Sequence, residues 1–199
     1  MSELIGPIAN RRARRSFAPT AVSAETREAL WRAINVAPSH GNTQPTRVLV
    51  ADSPAIRERL IAALSEGNKS WAPSAPLLFA LVTNMEGIDA PAERELIAFN
   101  SGIAAGSLLA QATAMGVTCH PMAGFDEPAA RSAFGVPGHV RVLAIVAAGY
   151  PGPIEVLPPD LQEKEAAPQY RIPLTNLVGV DHWTEEQALD ARALKKRGS

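Results

Sequence analysis

The sequence predicts one mixed domain in which helices cover both faces of a central sheet, followed by an extended arm. Helical stretches alternate with short apolar runs as far as about residue 150, the order expected when helices pack on a sheet. Leu77–Val82 is continuously apolar and Val140–Ala148 is broken only by Arg141, as in strands covered on both sides. Ala92–Met115 is long, and it carries no charge from Ile103 to Ala114. These signals do not fix the strand order.

Ser23 is placed to cap a first helix, Ser23–Ala37, with Glu25 in its first turn and Thr26, Leu30, Ala33, Ile34 and Ala37 at helical spacing. Asn35–Pro45 is turn-rich and irregular, and Arg47–Ala51 is a short apolar strand. Ser53-Pro54 opens a second helix as cap and first-turn proline, with Ile56, Leu60 and Leu64 on one face. The strand Leu77–Val82 comes next, then the helix Ala92–Met115, which ends at Gly116. A helix apolar all round is expected to be buried, and Gly102, Ala104, Ala105, Gly106 and Ala110 allow other backbones to approach it closely. Val117–Cys119 reads as a brief strand, Asp126 as the cap of a short helix ended by Gly135, and Val140–Ala148 as a buried strand. Beyond Gly149, Pro151, Pro153, Pro158, Pro159, Pro168 and Pro173 break regular structure, while Ile154, Val156, Leu157, Ile172, Leu174, Leu177 and Val178 need burial. An apolar, extended arm wrapping a second subunit satisfies both demands; a loosely packed tail is the alternative. Lys195-Lys196-Arg197 reads as a solvated end.

A chain of 199 residues with 46% hydrophobic and 20% charged residues suits a single domain, with a core at about 8–150 and the arm at about 151–199. A net charge of −1 gives no pull toward nucleic acid or an anionic membrane. The lone Cys119 excludes an intramolecular disulfide framework and a cysteine-built zinc site, and it suits a reducing compartment. No apolar run reaches the ~20 residues of a membrane span, and no apolar segment of signal type follows Met1. A soluble, cytoplasmic protein is therefore expected.

Three stretches can carry chemistry. Arg11, Arg12, Arg14 and Arg15 repel one another unless an anion or solvent relieves them, and guanidinium forks match phosphate oxygens. A phosphate site and a solvated basic stretch both remain open on that cluster alone; the near-neutral net charge argues against a nucleic-acid surface. Pro38-Ser39-His40-Gly41-Asn42-Thr43-Gln44-Pro45 holds amides and polar side chains between two prolines, able to pair with the donors and acceptors of a polar ring edge. An ordinary capped turn has the same composition. His120-Pro121-Met122-Ala123-Gly124-Phe125-Asp126 follows a strand and precedes a helix; its small residues would let a ring lie against main-chain N–H groups, and simple strand-to-helix turn chemistry is the alternative. No G-x-G-x-x-G, phosphate-binding G-x-x-x-x-G-K-[ST], G-x-S-x-G or H-E-x-x-H motif is present, and the histidines lack metal-ligand spacing.

In this order the segments resemble the FMN-dependent nitroreductase family. Arg11-Arg12-Ala13-Arg14-Arg15-Ser16-Phe17 is similar to the family's R-R-S-x-R-x-F start. Ala37-Pro38-Ser39-His40-Gly41-Asn42-Thr43-Gln44-Pro45 is similar to its A-P-S-x-x-N-x-Q-P loop. The third piece runs from Gly102 to Gly116, through Pro121–Asp126, to Ala148-Gly149-Tyr150-Pro151, with Tyr170-Arg171-Ile172-Pro173-Leu174 a weaker echo. The resemblance spans residues 8 to 178 and implies an α+β, three-layer α/β/α fold, as an intertwined homodimer with FMN at the interface. It implies that Arg11, Arg12 and Arg15 bind the phosphate, ribityl chain and pyrimidine edge, with Arg171 completing the phosphate site. Pro38, Ser39, His40 and Asn42 would reach the flavin from the other subunit, and Asn68 would stand near the pyrimidine edge. Pro121, Met122, Ala123 and Gly124 would lie under the ring, offering a backbone N–H to flavin N5.

The sequence departs from the family at Ala13 for serine, Thr46 for an aromatic residue, Asn100 for aspartate and Ala123 for an acidic residue. The resemblance implies ping-pong hydride transfer from NADH or NADPH, through flavin N5, to a small acceptor such as a nitroaromatic or quinone, with no protein nucleophile or base. A flavin-binding protein without turnover, or a flavin-destroying or dehalogenating relative, would share the same binding residues.

Overall fold

The computed structural model describes residues 3–183 and 185, so the basic end at 195–197 lies outside the described residues. The chain forms two compact units, Met1–Leu157 and Pro158–Ser199.

The first unit is built on a four-stranded antiparallel sheet. Its strands are β1 (Thr46–Val50), β2 (Leu77–Asn84), β3 (Thr118–Met122) and β4 (Val140–Gly149), in the order β1-β2-β4-β3. The chain inserts β4 between β2 and β3, which local patterning could not reveal. β2 and β4 pair from Leu77↔Ala148 to Asn84↔Val140, with an irregularity after Leu81. Leu77 through Thr83 are all buried, as expected for a central strand covered on both faces.

The alternation of the strands sends their side chains into two apolar layers. Leu77, Phe79, Leu81, Val146, Ala148 and Cys119 join Leu30, Leu108 and Ala112 in one cluster. The helices on that face are α2 (Ala24–Asn35) and α5 (Pro91–Ala114), which pack on each other; a short α1 (Gly6–Asn10) also meets α5. Trp31 of α2 stands edge-on to Phe79, ring centres 4.9 Å apart. Toward the other face point Leu78, Ala80, Ile145 and Ala147, all fully buried. There α3 (Pro54–Ala62) packs on α6 (Glu127–Phe134), and α6 packs on β4. The arrangement is an α+β, three-layer fold.

The helix starts follow the expected caps. Ser23 Oγ accepts the Thr26 N–H at 3.1 Å, and Asp126 Oδ1 accepts the Ala129 N–H at 2.8 Å. Pro54 occupies the first turn of α3 behind the Ser53 cap. A one-turn helix, α4 (Glu66–Lys69), lies between α3 and β2.

Three expectations need correction. The first is that α5 is buried all round. Asn100, Ser101, Ala104, Leu108 and Ala112 are buried, while Gly102 and Gly106 are exposed and Phe99 is 66% exposed. The helix therefore covers one face within this chain. Its 24 residues are also long and apolar enough to cross a membrane by length and composition, which the sequence reading did not anticipate. Its buried Leu108 and Ala112 nonetheless belong to the same core as Phe79 and Val146. Second, β3 runs on through Pro121 and Met122, paired with Val146 and Ile145. Proline is tolerated there because β3 is an edge strand. Third, the prolines after Gly149 do not abolish regular structure. In the second unit Pro159 starts α7 (Pro159–Ala166) and Pro173 precedes α8 (Leu174–Leu177).

Around Phe17 the N-terminal segment is tied to the exit of β4. Ala18 N–H donates to Tyr150 O at 2.9 Å, Gly152 N–H donates to Ser16 O at 3.0 Å, and Ser16 Oγ donates to Pro153 O. A Cβ on Gly152 would stand 2.5 Å from the Phe17 carbonyl carbon and 2.6 Å from its oxygen, backbone atoms that cannot step aside. Gly152→Ala should therefore lower the stability by roughly 1–3 kcal/mol, read as a lower denaturant midpoint. Gly67→Ala, where a Cβ meets nothing within 4 Å, should leave the midpoint unchanged or slightly raised.

Candidate functional site

The arginine segment lies between α1 and the Phe17 anchor, and Arg11, Arg12, Arg14 and Arg15 are all half-buried. Its main chain is held from β3. The His120 Nδ1 is 2.9 Å from the Arg14 carbonyl oxygen. A carbonyl only accepts, so the imidazole donates from Nδ1 and keeps Nε2 bare. Burial pushes the His120 pKa down to about 4; the Arg14 hydrogen bond opposes this shift and the positive charge of Arg15 adds to it. His120 is therefore neutral at pH 7. Its ring leans on Trp71 with centres 4.5 Å apart, and Trp71 stacks on Phe17 at 6.3 Å. The aromatic ladder joins β3, the segment after α4 and the end of the arginine segment.

Four residues beyond His120, Gly124 meets α4. The Gly124 carbonyl accepts the Ser65 N–H at 2.9 Å and an Asn68 Nδ2–H at 3.0 Å. A Cβ on Gly124 would lie 2.6 Å from Ser65 Oγ and 3.0 Å from Asn68 Nδ2, so the Ser65 and Asn68 side chains would have to shift to admit one. Asn68 and Gly124, expected on separate grounds to touch a ligand, thus touch each other, and one amide donor of Asn68 is already committed. Met122 is 2% exposed and packs its side chain into the core, while Pro121, Ala123 and Gly124 remain at least partly exposed.

Pro38, Ser39, His40 and Asn42 sit elsewhere. Their loop leaves α2, forms one tight turn at His40–Asn42 and enters β1. The His40 N–H donates to Oδ1 of Asn100, which is 3% exposed on α5. Ser39 Oγ accepts the Gln44 N–H at 2.9 Å, and the Gln44 amide donates to Asn42 Oδ1 at 3.0 Å. Asn42 and Gln44 take left-handed backbone, with φ of 56° and 45°. Asn100, a departure from the family pattern in sequence, is here the anchor of the loop. Under the loop lies a cavity of about 490 Å³ whose walls include Trp31, Ile34, Val48, Asn100 and Ala104. Thr46, where the resemblance expects an aromatic residue, lines it too, and its buried hydroxyl has no hydrogen-bond partner among the described residues.

β1 and β3 are opposite edges of the sheet, with β4 and β2 between them. The structure thus brings together Arg14, Arg15, His120, Asn68 and Gly124 at one edge and carries the Pro38–Asn42 loop at the other. Arg171 belongs to the second unit, where its guanidinium donates to the Tyr170 carbonyl at 2.7 Å and to Gln169 Oε1 at 2.8 Å. Among the described residues, no group of three or more His, Cys, Asp or Glu is placed to hold a metal. Sequence reasoning placed His120 at the head of the third candidate stretch without giving it a role, and it passed over Ser65 and Trp71.

A family model described as "Nitroreductase family" matches residues 8–74 and 63–150. A Streptomyces coelicolor protein named as an NADH dehydrogenase/NAD(P)H nitroreductase is 32% identical, over 68% of this chain and 77% of its own length. A Thermus thermophilus protein named NADH dehydrogenase is 29% identical, over 84% of this chain and 89% of its own. Among solved structures, one described as an oxidoreductase containing FMN superposes with a TM-score of 0.81 at 28% identity, covering 92% of this chain and 94% of that one. A nitroreductase in complex with FMN from Exiguobacterium sibiricum shares the fold, with a TM-score of 0.76 at 17% identity over 91% and 98% of the two chains.

A neutral His120 has a consequence for acid stability. Its ordinary value of 6.5 applies to the unfolded chain and about 4 to the folded one, so the unfolded chain binds more protons between those values. The contribution is complete above pH 6.5 and is lost as the pH falls from 6.5 to 4, amounting to on the order of 3 kcal/mol. Unfolding of the ligand-free protein followed from pH 7 to pH 4 should show this slope, and His120→Asn should remove that part of it.

Proposed function

The chain belongs to the nitroreductase family, and from that premise we propose that it is an FMN-dependent NAD(P)H oxidoreductase that reduces a small electrophilic acceptor, such as a nitroaromatic or a quinone. The observation that carries this reading is the meeting of the arginine segment with the Asn68–Gly124 contact along the β3 edge, through His120 and Trp71.

The residues present suit FMN. Half-buried guanidinium groups match a phosphate, and the charge of Arg15 is felt at the His120 ring, as an anion site requires. Gly124 presents bare main chain against α4, where a Cβ would collide with Ser65. In this assignment Arg11, Arg12 and Arg15 hold the phosphate, ribityl chain and pyrimidine edge, Asn68 stands at that edge, and Pro121, Met122, Ala123 and Gly124 offer main chain to the ring. When bound, FMN supplies the two-electron chemistry between NADH or NADPH and the acceptor. The protein's own part is to bind, orient and set the field. The permanent cation of Arg15 favours additional negative charge nearby. Phe17 and Trp71, 6% and 3% exposed, keep water from one side, which strengthens that effect. No side chain is required as nucleophile or general base.

The loop Pro38, Ser39, His40 and Asn42 would complete the site from a second copy. Its place on the opposite edge of its own sheet supports that arrangement. So do the exposed Leu96 and Phe99 on α5, and the exposed Leu174, Leu177, Val178 and Trp183 of the second unit, which an embracing dimer would cover. A cytoplasmic homodimer accords with the single cysteine being buried and free.

The purified protein should show flavin absorption, on its own or after adding FMN, and should bleach under anaerobic NADPH or NADH. Flavin bands that persist with both donors would replace this reading with that of a flavin-binding protein without turnover. Arg15→Ala should weaken FMN binding by roughly 10- to 100-fold, or slow its reduction, measured by fluorescence titration and stopped-flow absorbance. A variant unchanged in both would overturn the assignment of Arg15.

A further inference from the structure

His120 is half-buried, polar and outside the set of residues assigned to the cofactor, yet it bonds to the arginine segment at Arg14 and directly precedes Pro121 on β3. We infer that His120 is a positioning residue that fixes the distance between the phosphate-binding arginines and the ring-binding segment Pro121–Gly124, through its hydrogen bond to the Arg14 carbonyl. This deepens the FMN reading and rests on it.

The segment from Arg11 to Ala18 is held in two ways. Its C-terminal end is fastened by main-chain bonds, Ala18 N–H to Tyr150 O at 2.9 Å and Gly152 N–H to Ser16 O at 3.0 Å. Such bonds fix the peptide path at Ser16–Ala18. Arg14 lies two residues before them, and its peptide plane is set by a side chain, the His120 imidazole, at 2.9 Å. That imidazole is itself immobilised. It grows from β3, whose register places His120 opposite Ala147, and its ring rests on Trp71 at 4.5 Å. The next residue along the same strand is Pro121, the start of the ring-binding segment. One side chain therefore ties the backbone that carries the guanidinium groups to the strand that carries the ring contact.

The tie works in one tautomer. Nδ1 must hold the proton, because the Arg14 oxygen can only accept, and Nε2 then carries the lone pair. An asparagine at this position can present an Nδ2–H in place of Nδ1–H. Alanine removes the donor and leaves the Arg14 carbonyl without that partner.

The loss of this tie acts on the phosphate end of the ligand. With FMN and riboflavin as probes on the full-length protein, His120→Ala should weaken FMN binding about tenfold and riboflavin binding, which keeps the ring and ribityl contacts but lacks the phosphate, by roughly threefold or less. His120→Asn should recover FMN binding to within about threefold of the parent. Equal weakening toward both flavins would show general damage to the fold and overturn the inference. So would failure of His120→Asn to recover affinity while its thermal midpoint matches that of the parent. A parent protein that binds neither flavin would overturn the function proposed above. The tie is then judged separately by the ¹⁵N shifts of the His120 ring in the ligand-free protein at pH 7. An Nδ1–H tautomer is the expected result, and an Nε2–H tautomer would overturn the tie itself.

Discussion

The pairing of β2 with β4 is the constraint on which the other elements depend. Both strands are covered above and below, so a one-residue slip would send Phe79 and Val146 into the opposite layer and misplace each helix packed there. With the centre fixed and apolar, polar chemistry is confined to the sheet's edges. The β3 edge carries His120 and leads to Gly124; the β1 edge receives the chain from the Pro38–Pro45 loop. A site drawing on both sets of residues would span more than one chain's sheet provides on one side, which is why the proposed site calls on a second copy.

Electrostatics shapes the β3 edge as much as packing does. A run of arginines is costly to gather unless each charge reaches solvent or an anion, and here the segment is only half-buried. The group beneath it adds no charge of its own: burial and the neighbouring Arg15 keep His120 neutral, so the imidazole supports the segment without repelling it. Phe17, Trp71 and His120 form a rigid wall that costs little conformational entropy to order, since few rotors are involved.

Much of the fold was legible because its signals are local. Ser23, Ser53 and Asp126 cap the helices expected of them, and Leu77–Val82 lies within the buried central strand. The misreadings come from properties that a local window does not contain. The far face of α5 reads as core because its residues are apolar, but Phe99, Gly102 and Gly106 on that helix are exposed among the described residues. The strand read at Val117–Cys119 continues through Pro121, because an edge position has no ladder bond for proline to break on its open side. The arginine run, the Pro38–Pro45 loop and Gly124 could be picked out by residue type and order. His120 stood at the head of one such stretch, but its role could not be read, because its partner Arg14 lies 106 residues earlier and the contact exists only after β3 has docked. Asn100 stood out in sequence as a substitution, while its hold on His40 is a fact of three dimensions.

Cys119 sits one residue before His120 and turns the other way, into the apolar layer beside Phe79 and Val146, where burial pushes its thiol up to about 12. At physiological pH it carries essentially no thiolate, and thiolate is the form that attacks electrophiles. Quinones and the partly reduced products of nitroaromatics are such electrophiles, and they arylate exposed cysteines. With its single sulfhydryl protonated and walled in, the protein offers such compounds no reactive thiolate of its own, so repeated exposure to them would leave Cys119 unmodified.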